Sequence, residues 1–198
     1  KSTNGKVAII DIEHTGGNPN QGKIVEIGIA ELDINSGKIT PIFDSLIREK
    51  GFSLKEFSKN YFMNNVNKIS PKLVISLGKK FELEYNSQIL QKILKSYEDI
   101  YYWDCTNHTE RQWLKIKGFD VSNFHDFQFF VKSYLKVKNI RKFNFQYVWN
   151  YFLNEHSRNA SKYLREPEYY QNHRAYDDAE HEALLLYYLV KEKQFKLK

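Results

Sequence analysis

The sequence predicts a mixed α/β fold in which helices pack against a single sheet. The first observation is a series of three strand-like segments near the N-terminus, separated by turn residues. The second is that the later segments have apolar residues at helical spacing, with one short strand-like segment between them. Strands first, followed by helices that alternate with strands, indicate a mixed sheet with helices packed on it.

The three N-terminal strands are predicted from β-branched and aliphatic residues. Val7–Glu13 (Val-Ala-Ile-Ile-Asp-Ile-Glu) is typical of a buried strand. The residues from Thr15 to Gly22 are rich in Gly, Asn and Pro and indicate a turn. Ile24–Leu32 and Ile39–Leu46 are the next two strands, joined by Asn-Ser-Gly at 35–37. This order predicts an antiparallel meander.

The helices are predicted from apolar spacing and from residues that favour helix starts. Thr109 with Gln112 has the pattern of a capping box, and Asn144 is the expected cap of a later helix. We expect the aromatic residues at 127, 129 and 130 to pack against the sheet. The predicted elements are helices after Ser70, over 86–97, after Thr109, over 145–153 and from about Asp177 to Lys191, and a strand over Ile100–Trp103.

Composition narrows the class of protein. The 198 residues suit one domain over 1–198, and the hydrophobic fraction of 41% is not that of a disordered chain. The net charge of +6 favours a polyanionic partner, nucleic acid above all. A single cysteine, Cys105, rules out an intramolecular disulfide and fits an intracellular location. The longest apolar run, 183–190, is too short to span a membrane, so no membrane partner is expected.

Two acidic residues, Asp11 and Glu13, lie two positions apart on the first predicted strand. Because side chains alternate along a strand, both project from the same face. Two carboxylates together on a buried strand are unfavourable without a positive charge, which a bound Mg²⁺ or Mn²⁺ supplies. The alternative is that one of them faces solvent at the edge or the end of the strand.

A second polar group lies at the start of the last predicted helix, in the sequence His-Arg-Ala-Tyr-Asp-Asp at 173–178. Histidine titrates near neutral pH, which suits the removal of a proton from water. Asp178 in the first turn is favoured by the helix dipole and is suited to binding a cation. The alternative interpretation makes these acids ordinary first-turn residues and His173 a loop residue.

Together, these two groups resemble motifs of the DEDDh 3′→5′ exonucleases of the ribonuclease H-like superfamily. The residues that carry the resemblance are Asp11-Ile-Glu13-His-Thr15-Gly-Gly, Ile24-Val-Glu26-Ile-Gly28-Ile-Ala and His173-x-Ala175-x-x-Asp178-Ala179. The spacing of His173 before Asp178 matches the histidine branch, since the sister branch has a tyrosine where this chain has Arg174. The resemblance covers Val7 to about Val190 and implies three antiparallel strands followed by parallel strands, flanked by helices.

The resemblance also implies a site and a reaction. Asp11, Glu13 and Asp178, with one further acid, are expected to hold two divalent ions, Mg²⁺ or Mn²⁺. His173 is the expected general base, and Glu13 is also expected near the terminal 3′-hydroxyl. Water then attacks the last phosphodiester of a DNA or RNA strand and releases a nucleoside 5′-monophosphate. The residues expected to contact the substrate are Thr15, Gly16 and Arg174.

The further acid is where the chain departs from the family pattern, which has an Asp at a helix start followed by an aromatic-Leu pair. Glu110 has that position relative to Trp113 and Leu114, whereas Asp104 is the only Asp in the segment. Asp104 is preferred, because a short side chain at a strand end can point into the same cleft as Asp11. Glu110 is the alternative.

Two other functions fit the same motifs. A catalytically degenerate domain that only binds nucleic acid is favoured by the irregular middle segment. A role within a polymerase or nucleoprotein assembly keeps the chemistry and changes the partner. The sequence does not distinguish DNA from RNA, because that choice depends on contacts to the 2′-hydroxyl.

Overall fold

The computed structural model describes residues 5–81, 84–103, 110–155, 157–165 and 171–198. These residues contain a six-stranded sheet in the order β4-β3-β2-β1-β5-β6. β2 runs antiparallel to both of its neighbours, β1 and β3, and β5 runs parallel to both β1 and β6. The strands are β1 (Lys6–His14), β2 (Ile24–Asp33), β3 (Ile39–Arg48), β4 (Lys79–Lys80), β5 (Ile100–Tyr102) and β6 (Phe124–Asp126).

Helices cover the sheet and fill the connections after β3. They are α1 (Leu54–Phe57), α2 (Pro71–Leu77), α3 (Glu84–Lys95), α4 (Glu110–Ile116), α5 (Gln128–Val137), α6 (Phe145–Glu155), α7 (Ser157–Ala160) and α8 (Ala175–Glu192). A π-helical turn, Phe62–Val66, lies between α1 and α2. Among the described residues, no helix combines the length and the apolar character needed to cross a membrane.

β1 lies in the middle of the sheet and has a buried layer on each face. Val7 and Ile9 contribute to a core with α5, α6 and α8, whereas Ala8, Ile10 and Ile12 contribute to a core with α3 and α4. The alternation places odd-numbered residues of β1 on the α8 side. Asp11 and Glu13 continue the odd-numbered series, so they share the face that α8 covers.

Gly28 allows α8 to begin directly against β2. A Cβ atom at this position would lie 2.2 Å from the backbone nitrogen of Tyr176 and 2.3 Å from the carbonyl carbon of Ala175. Gly28 pairs with Asp11 across the two strands. The first turn of α8 therefore lies beside the acidic residues of β1, and a side chain at position 28 would keep it away.

Most predicted elements are present, with ends that differ by a few residues. The three N-terminal strands and the long C-terminal helix are confirmed, and the side chain of Asn144 caps α6 by accepting a bond from the backbone N–H of Tyr147 at 2.8 Å. Ser70 precedes α2 without a side-chain capping bond. Thr109, and with it the predicted capping box, lies outside the described residues.

β6 and α5 were not predicted. The run Phe-Gln-Phe-Phe over 127–130 obscured a helix start, because aromatic residues favour strands. Phe127 is buried as expected, but the prediction was wrong for Phe129, which is 72% exposed. Position 129 faces solvent because the buried face of α5 is formed by Gln128, Val131 and Leu135.

Candidate active site

β1 supplies two buried carboxylates to the site. Asp11 pairs with Gly28 on β2, and Glu13 pairs with Glu26. Both Asp11 and Glu13 are buried, which excludes the alternative of a solvent-facing strand end. A register shift follows Glu13, so that His14 pairs with Ile24. Such irregularities bend a strand and redirect the next side chain, and they are common beside active sites.

The N-terminus of α8 is held in place by Glu26 of β2. The carboxylate of Glu26, only 2% exposed, accepts a hydrogen bond from the backbone N–H of Ala175 at 2.9 Å. Arg174 donates from Nε to both oxygens of the same carboxylate at 3.1 and 3.0 Å. Glu26 thus binds the first turn of α8 and supplies a hydrogen-bond acceptor for one of the N–H groups that have no partner within the helix. This fixes the residues on either side of Arg174.

Glu13, His173 and Asp178 form a compact group of potential ligands. One ligand atom from each side chain lies within 4.8 Å of the others. Nδ1 of His173 is 3.9 Å from Oε1 of Glu13, too far for a hydrogen bond. The His173 side chain is 38% exposed, and its backbone has a positive φ of 56°. Asp178 is fully buried and accepts a hydrogen bond from Nε2 of Gln171 at 3.1 Å.

A cavity of about 670 Å³ opens over this group. Asp11, Glu13 and His173 line it, and so do two further carboxylates, those of Glu110 and Glu182. Glu110 is the first residue of α4, and Glu182 lies one turn after Asp178 on α8. The volume is within the range of pockets that bind small molecules.

The carboxylates raise one another's pKa. Burial, followed by the nearby charges of Glu182 and Asp178, raises the pKa of Asp11 well above its ordinary value. Burial and Asp178 likewise raise the pKa of Glu13, against the effect of a hydrogen bond from Asn67. The pKa of Glu182 is also raised, by burial and then by Glu110 and Asp178. Without a metal ion, the ionised forms of these carboxylates are therefore unfavourable in the folded protein.

This arrangement fits a divalent cation. Oδ2 of Asp11 is buried and has no hydrogen-bond partner in the described part of the chain. An oxygen in that position, among several converging carboxylates, is suited to a hard cation such as Mg²⁺ or Mn²⁺. Asp11, Glu13 and Asp178 are the residues that would hold it, with Glu110 next to them.

Aromatic rings form one wall of the cavity. The His14 ring stacks on Trp113 with centroids 4.3 Å apart, and the centroid of the Phe62 ring is 5.4 Å from that of His14. His14 and Phe62 both line the cavity. Gly16 allows this packing, because a Cβ atom there would lie 2.2 Å from the Phe62 ring.

The three residues predicted to contact the substrate have hydrogen-bond partners within the protein. The hydroxyl of Thr15 accepts a hydrogen bond from the backbone N–H of Lys23 at 3.0 Å, which closes the turn after β1. The N–H of Gly16 donates to Nδ1 of His14 at 2.9 Å, and within the described segments Gly17 rather than Gly16 lines the cavity. Arg174 binds Glu26, although its side chain remains half exposed. The substrate-contact roles of these residues stay predictions.

Of the two candidates for the fourth acid, the structure describes Glu110. Asp104 lies outside the described residues. Glu110 is buried, lines the cavity and contributes negative charge at Asp11, Glu13 and Glu182. The aromatic-Leu phase that made Glu110 the alternative in the sequence thus belongs to an acid that lines the cavity, and which of the two is the fourth acid stays a prediction.

Sequence reasoning missed several residues of the site. Glu182 was not singled out, although it is spaced four residues from Asp178 and therefore lies on the same side of the helix. Asn67 donates from Nδ2 to the backbone carbonyl of His14 at 3.1 Å and holds the end of β1. Gln171 and the Glu26–Arg174 pair had no local signal, because each depends on contacts between distant segments.

Comparisons with known proteins find this fold among solved nucleases. No family model matches the chain, and no curated protein matches it. The nuclease domain of 3′hExo, a DEDDh family member bound to rAMP, has a TM-score of 0.62 and 18% identity, with 96% of this chain and 94% of that chain covered. E. coli Exonuclease I in complex with a dT13 oligonucleotide has a TM-score of 0.59 and 10% identity, with 96% and 41% covered.

A third solved structure, of a 3′-exonuclease that recognises the histone mRNA stem-loop, has a TM-score of 0.61 and 15% identity over 97% of this chain and 84% of that one. At these identities the likeness concerns the arrangement of strands and helices. The order of three antiparallel strands followed by parallel strands, with helices on both faces, agrees with it. The chain therefore has the ribonuclease H-like fold of the DEDDh 3′ exonucleases.

Proposed function

We propose that this chain is a metal-dependent 3′→5′ exonuclease that removes nucleoside 5′-monophosphates from the 3′ end of single-stranded DNA or RNA. One observation carries the proposal: the acids of β1 and α8, Glu110 of α4 and a partly exposed histidine meet at one cavity in this fold. The fold alone does not specify chemistry. The convergence of these groups is what favours hydrolysis of a phosphodiester.

The carboxylates bind the metal. Asp11, Glu13 and Asp178 would hold two divalent ions, with Glu110 or Asp104 as the fourth acid. When bound, the ions supply positive charge that stabilises the charge developing on the phosphate and makes water more acidic. The chain fixes its ligands from both sides: β1 is held at its end by Asn67, and Asp178 is held by Gln171.

His173 removes the proton from the attacking water. Its Nδ1 faces Glu13 at 3.9 Å, and its Nε2 is the atom that we propose as the proton acceptor. The ring is partly exposed at the mouth of the cavity, so the proton can pass on to solvent. A positive φ at a non-glycine residue is uncommon but tolerated by histidine.

The substrate end is a nucleotide that stacks on the aromatic wall. His14 and Phe62 present ring surfaces to the cavity, and aromatic rings bind bases of any sequence. The net charge of +6 favours a polyanion. Among proteins with this fold, one was solved with rAMP and another with dT13, so both sugars stay open as substrates. A polymerase or nucleoprotein partner and an intracellular location remain predictions.

The binding-only alternative depends on an incomplete set of acids. Glu110 reaches the cavity, so the described residues already supply an acid from a third element in addition to β1 and α8. We therefore favour catalysis over binding alone.

The test is an exonuclease assay on 5′-labelled single-stranded DNA and RNA with Mg²⁺, Mn²⁺ or EDTA. The wild type should shorten the strand from its 3′ end only with metal. Asp178→Asn should lower the rate at least about 100-fold, because metal ligation supplies several kcal/mol of charge stabilisation. The matched control is Asp177→Asn, the neighbouring first-turn acid, whose side chain is 37% exposed and which is not part of the compact group of Glu13, His173 and Asp178.

Two outcomes contradict the proposal. Equal rates for Asp178→Asn and the wild type would remove the metal site from the mechanism. Strand binding without cleavage in either metal would favour the degenerate binding domain. The faster of the two substrates identifies the preferred sugar.

A further inference from the structure

Glu182 is an acidic residue of the cavity that the family motifs do not include. It lies on α8 one turn after Asp178, and its side chain is 3% exposed. Residues four apart on a helix lie on the same side, so Glu182 follows Asp178 along the face that covers the sheet. It lines the same cavity as Asp11 and Glu110.

The two oxygens of Glu182 have different surroundings. Its carboxylate accepts a hydrogen bond from the backbone of Trp103, the residue that follows β5. Oε2 is buried and has no hydrogen-bond partner within the described ranges. The same holds for Oδ2 of Asp11. Two buried carboxylate oxygens without partners therefore occur in side chains that line one cavity.

The negative charge of Glu182 acts on the carboxyl group of Asp11. Of the charged side chains that act on Asp11, Glu182 acts most strongly, ahead of Asp178 and Glu13. Glu182 is itself surrounded by acids, since Glu110, Asp178 and Asp126 all act on it. Burying such a carboxylate without a counter-charge is costly, and a cation offsets the cost.

We propose that Glu182, together with Asp11, binds a divalent cation in this cavity. This rests on the proposed function, because it adds a fifth acidic residue to the same metal site. Glu13, His173 and Asp178 form one compact group, whereas Asp11, Glu110 and Glu182 line the same cavity without belonging to that group. Carboxylate oxygens make this a site for Mg²⁺ or Mn²⁺ rather than for a softer metal.

A purely structural role is the alternative, in which Glu182 only holds the end of β5 through Trp103. The substitution Glu182→Gln separates the two roles. The amide oxygen still accepts the bond from Trp103, whereas the negative charge is lost. The matched control is Glu180→Gln on the same helix, because Glu180 lines a different cavity, next to Asp177.

The experiment is a calorimetric titration of metal-free protein with Mn²⁺ and with Mg²⁺, paired with thermal melts of the metal-free forms. Glu182→Gln should weaken Mn²⁺ binding by about tenfold or more, since even indirect changes around a metal cost 10- to 100-fold. The same variant should raise the metal-free Tm, because one buried negative charge is removed. Glu180→Gln should change neither quantity.

Unchanged Mn²⁺ affinity in Glu182→Gln would overturn the inference, and a lower metal-free Tm beside it would identify Glu182 as a structural anchor. This result is distinct from failure of the proposed function. If the wild type cleaves strands and Glu182→Gln binds Mn²⁺ normally, only the inference fails. If the wild type binds Mn²⁺ through Glu182 but cleaves nothing, only the proposed function fails.

Discussion

Residues of one chemical type have different roles in this site because their neighbours differ. Glu13 and Glu26 face each other across β1 and β2, where like charges are unfavourable. Glu26 is neutralised by Arg174 and by the N–H of Ala175. Asp11 retains a buried oxygen without a partner among the described residues. Glu26 is therefore an anchor, whereas Asp11 keeps a carboxylate oxygen that is suited to a cation.

His173 allows a test of the general base. We expect His173→Asn to lower the exonuclease rate by about 10²–10⁴-fold, the usual contribution of a positioned base. Asparagine suits this position, because it tolerates the positive φ of 56° that alanine would strain. The readouts are the single-turnover rate and the Mn²⁺ affinity, which should fall far less than the rate.

A normal rate in His173→Asn would exclude His173 as the base. Loss of Mn²⁺ binding in parallel with the rate would instead make the histidine a metal ligand, as its place in the compact group with Glu13 and Asp178 allows.

At the scale of elements, the site depends on how α8 meets the sheet. β1 presents Asp11 and Glu13 on one face, and α8 can approach that face because position 28 of β2 has no side chain. Glu26 then binds the first turn of the helix. A strand pair and a helix end from opposite ends of the chain thus bring together the acids that we propose as metal ligands.

Gly28→Ala should disturb this contact. The added methyl would lie 2.2 Å from a backbone atom of α8, which cannot rotate away as a side chain can. We expect the free energy of unfolding to fall by about 1–3 kcal/mol or more, as for other overpacked cores. Mn²⁺ affinity should fall as well, because Asp178 moves away from β1.

The control is Gly51→Ala. Gly51 has a positive φ of 78°, but a Cβ atom there would meet only the end of Lys23 at 3.8 Å. This variant should lose about 1–2 kcal/mol through backbone strain and keep its metal affinity. Equal metal affinity in Gly28→Ala and the wild type would show that the close approach at position 28 does not position the site.

At the scale of the whole molecule, the buried carboxylates oppose folding when no metal is bound. Asp11, Glu13 and Glu182 all have a raised pKa in the folded protein. A group with a raised folded pKa binds more protons in the folded than in the unfolded state. The metal-free protein should therefore lose stability as the pH rises above the ordinary values of 3.8 for Asp11 and 4.5 for the two glutamates.

Thermal melts between about pH 5 and about pH 8 test this. The metal-free wild type should show a falling Tm, and Asp11→Asn should show a shallower fall, because one of the groups with a raised pKa is removed. Asp177 is a half-exposed acid on α8. The Tm of Asp177→Asn should fall with pH as steeply as that of the wild type. Saturating Mg²⁺ should reduce the fall, since it binds the ionised carboxylates of the folded state.

A Tm that rises over this range in the metal-free wild type would contradict the prediction. Identical slopes of Tm against pH for the wild type and Asp11→Asn would also contradict it. The raised pKa of the Asp11 carboxyl group would then have no effect on folding stability.

Local patterns in the sequence determined much of the fold and part of the site. Strand alternation placed Asp11 and Glu13 on one face, and helix-start chemistry placed Asp178 in a first turn. The spacing of His173 before Asp178 identified the histidine branch of the resemblance. These features depend on residues within one turn or one strand of each other, so a single sequence is sufficient to show them.

Tertiary structure alone decided which other residues join the site. Glu182 reaches the cavity, and Glu110, which the sequence indicated only as the alternative to Asp104, reaches it too, because α8 and α4 pack against the sheet. Arg174, which the sequence predicted only as a substrate contact, binds Glu26, 148 positions away in the chain. Such contacts join segments that are distant in sequence. Their geometry follows from core packing and from the absence of a side chain at Gly28, and no local pattern encodes either.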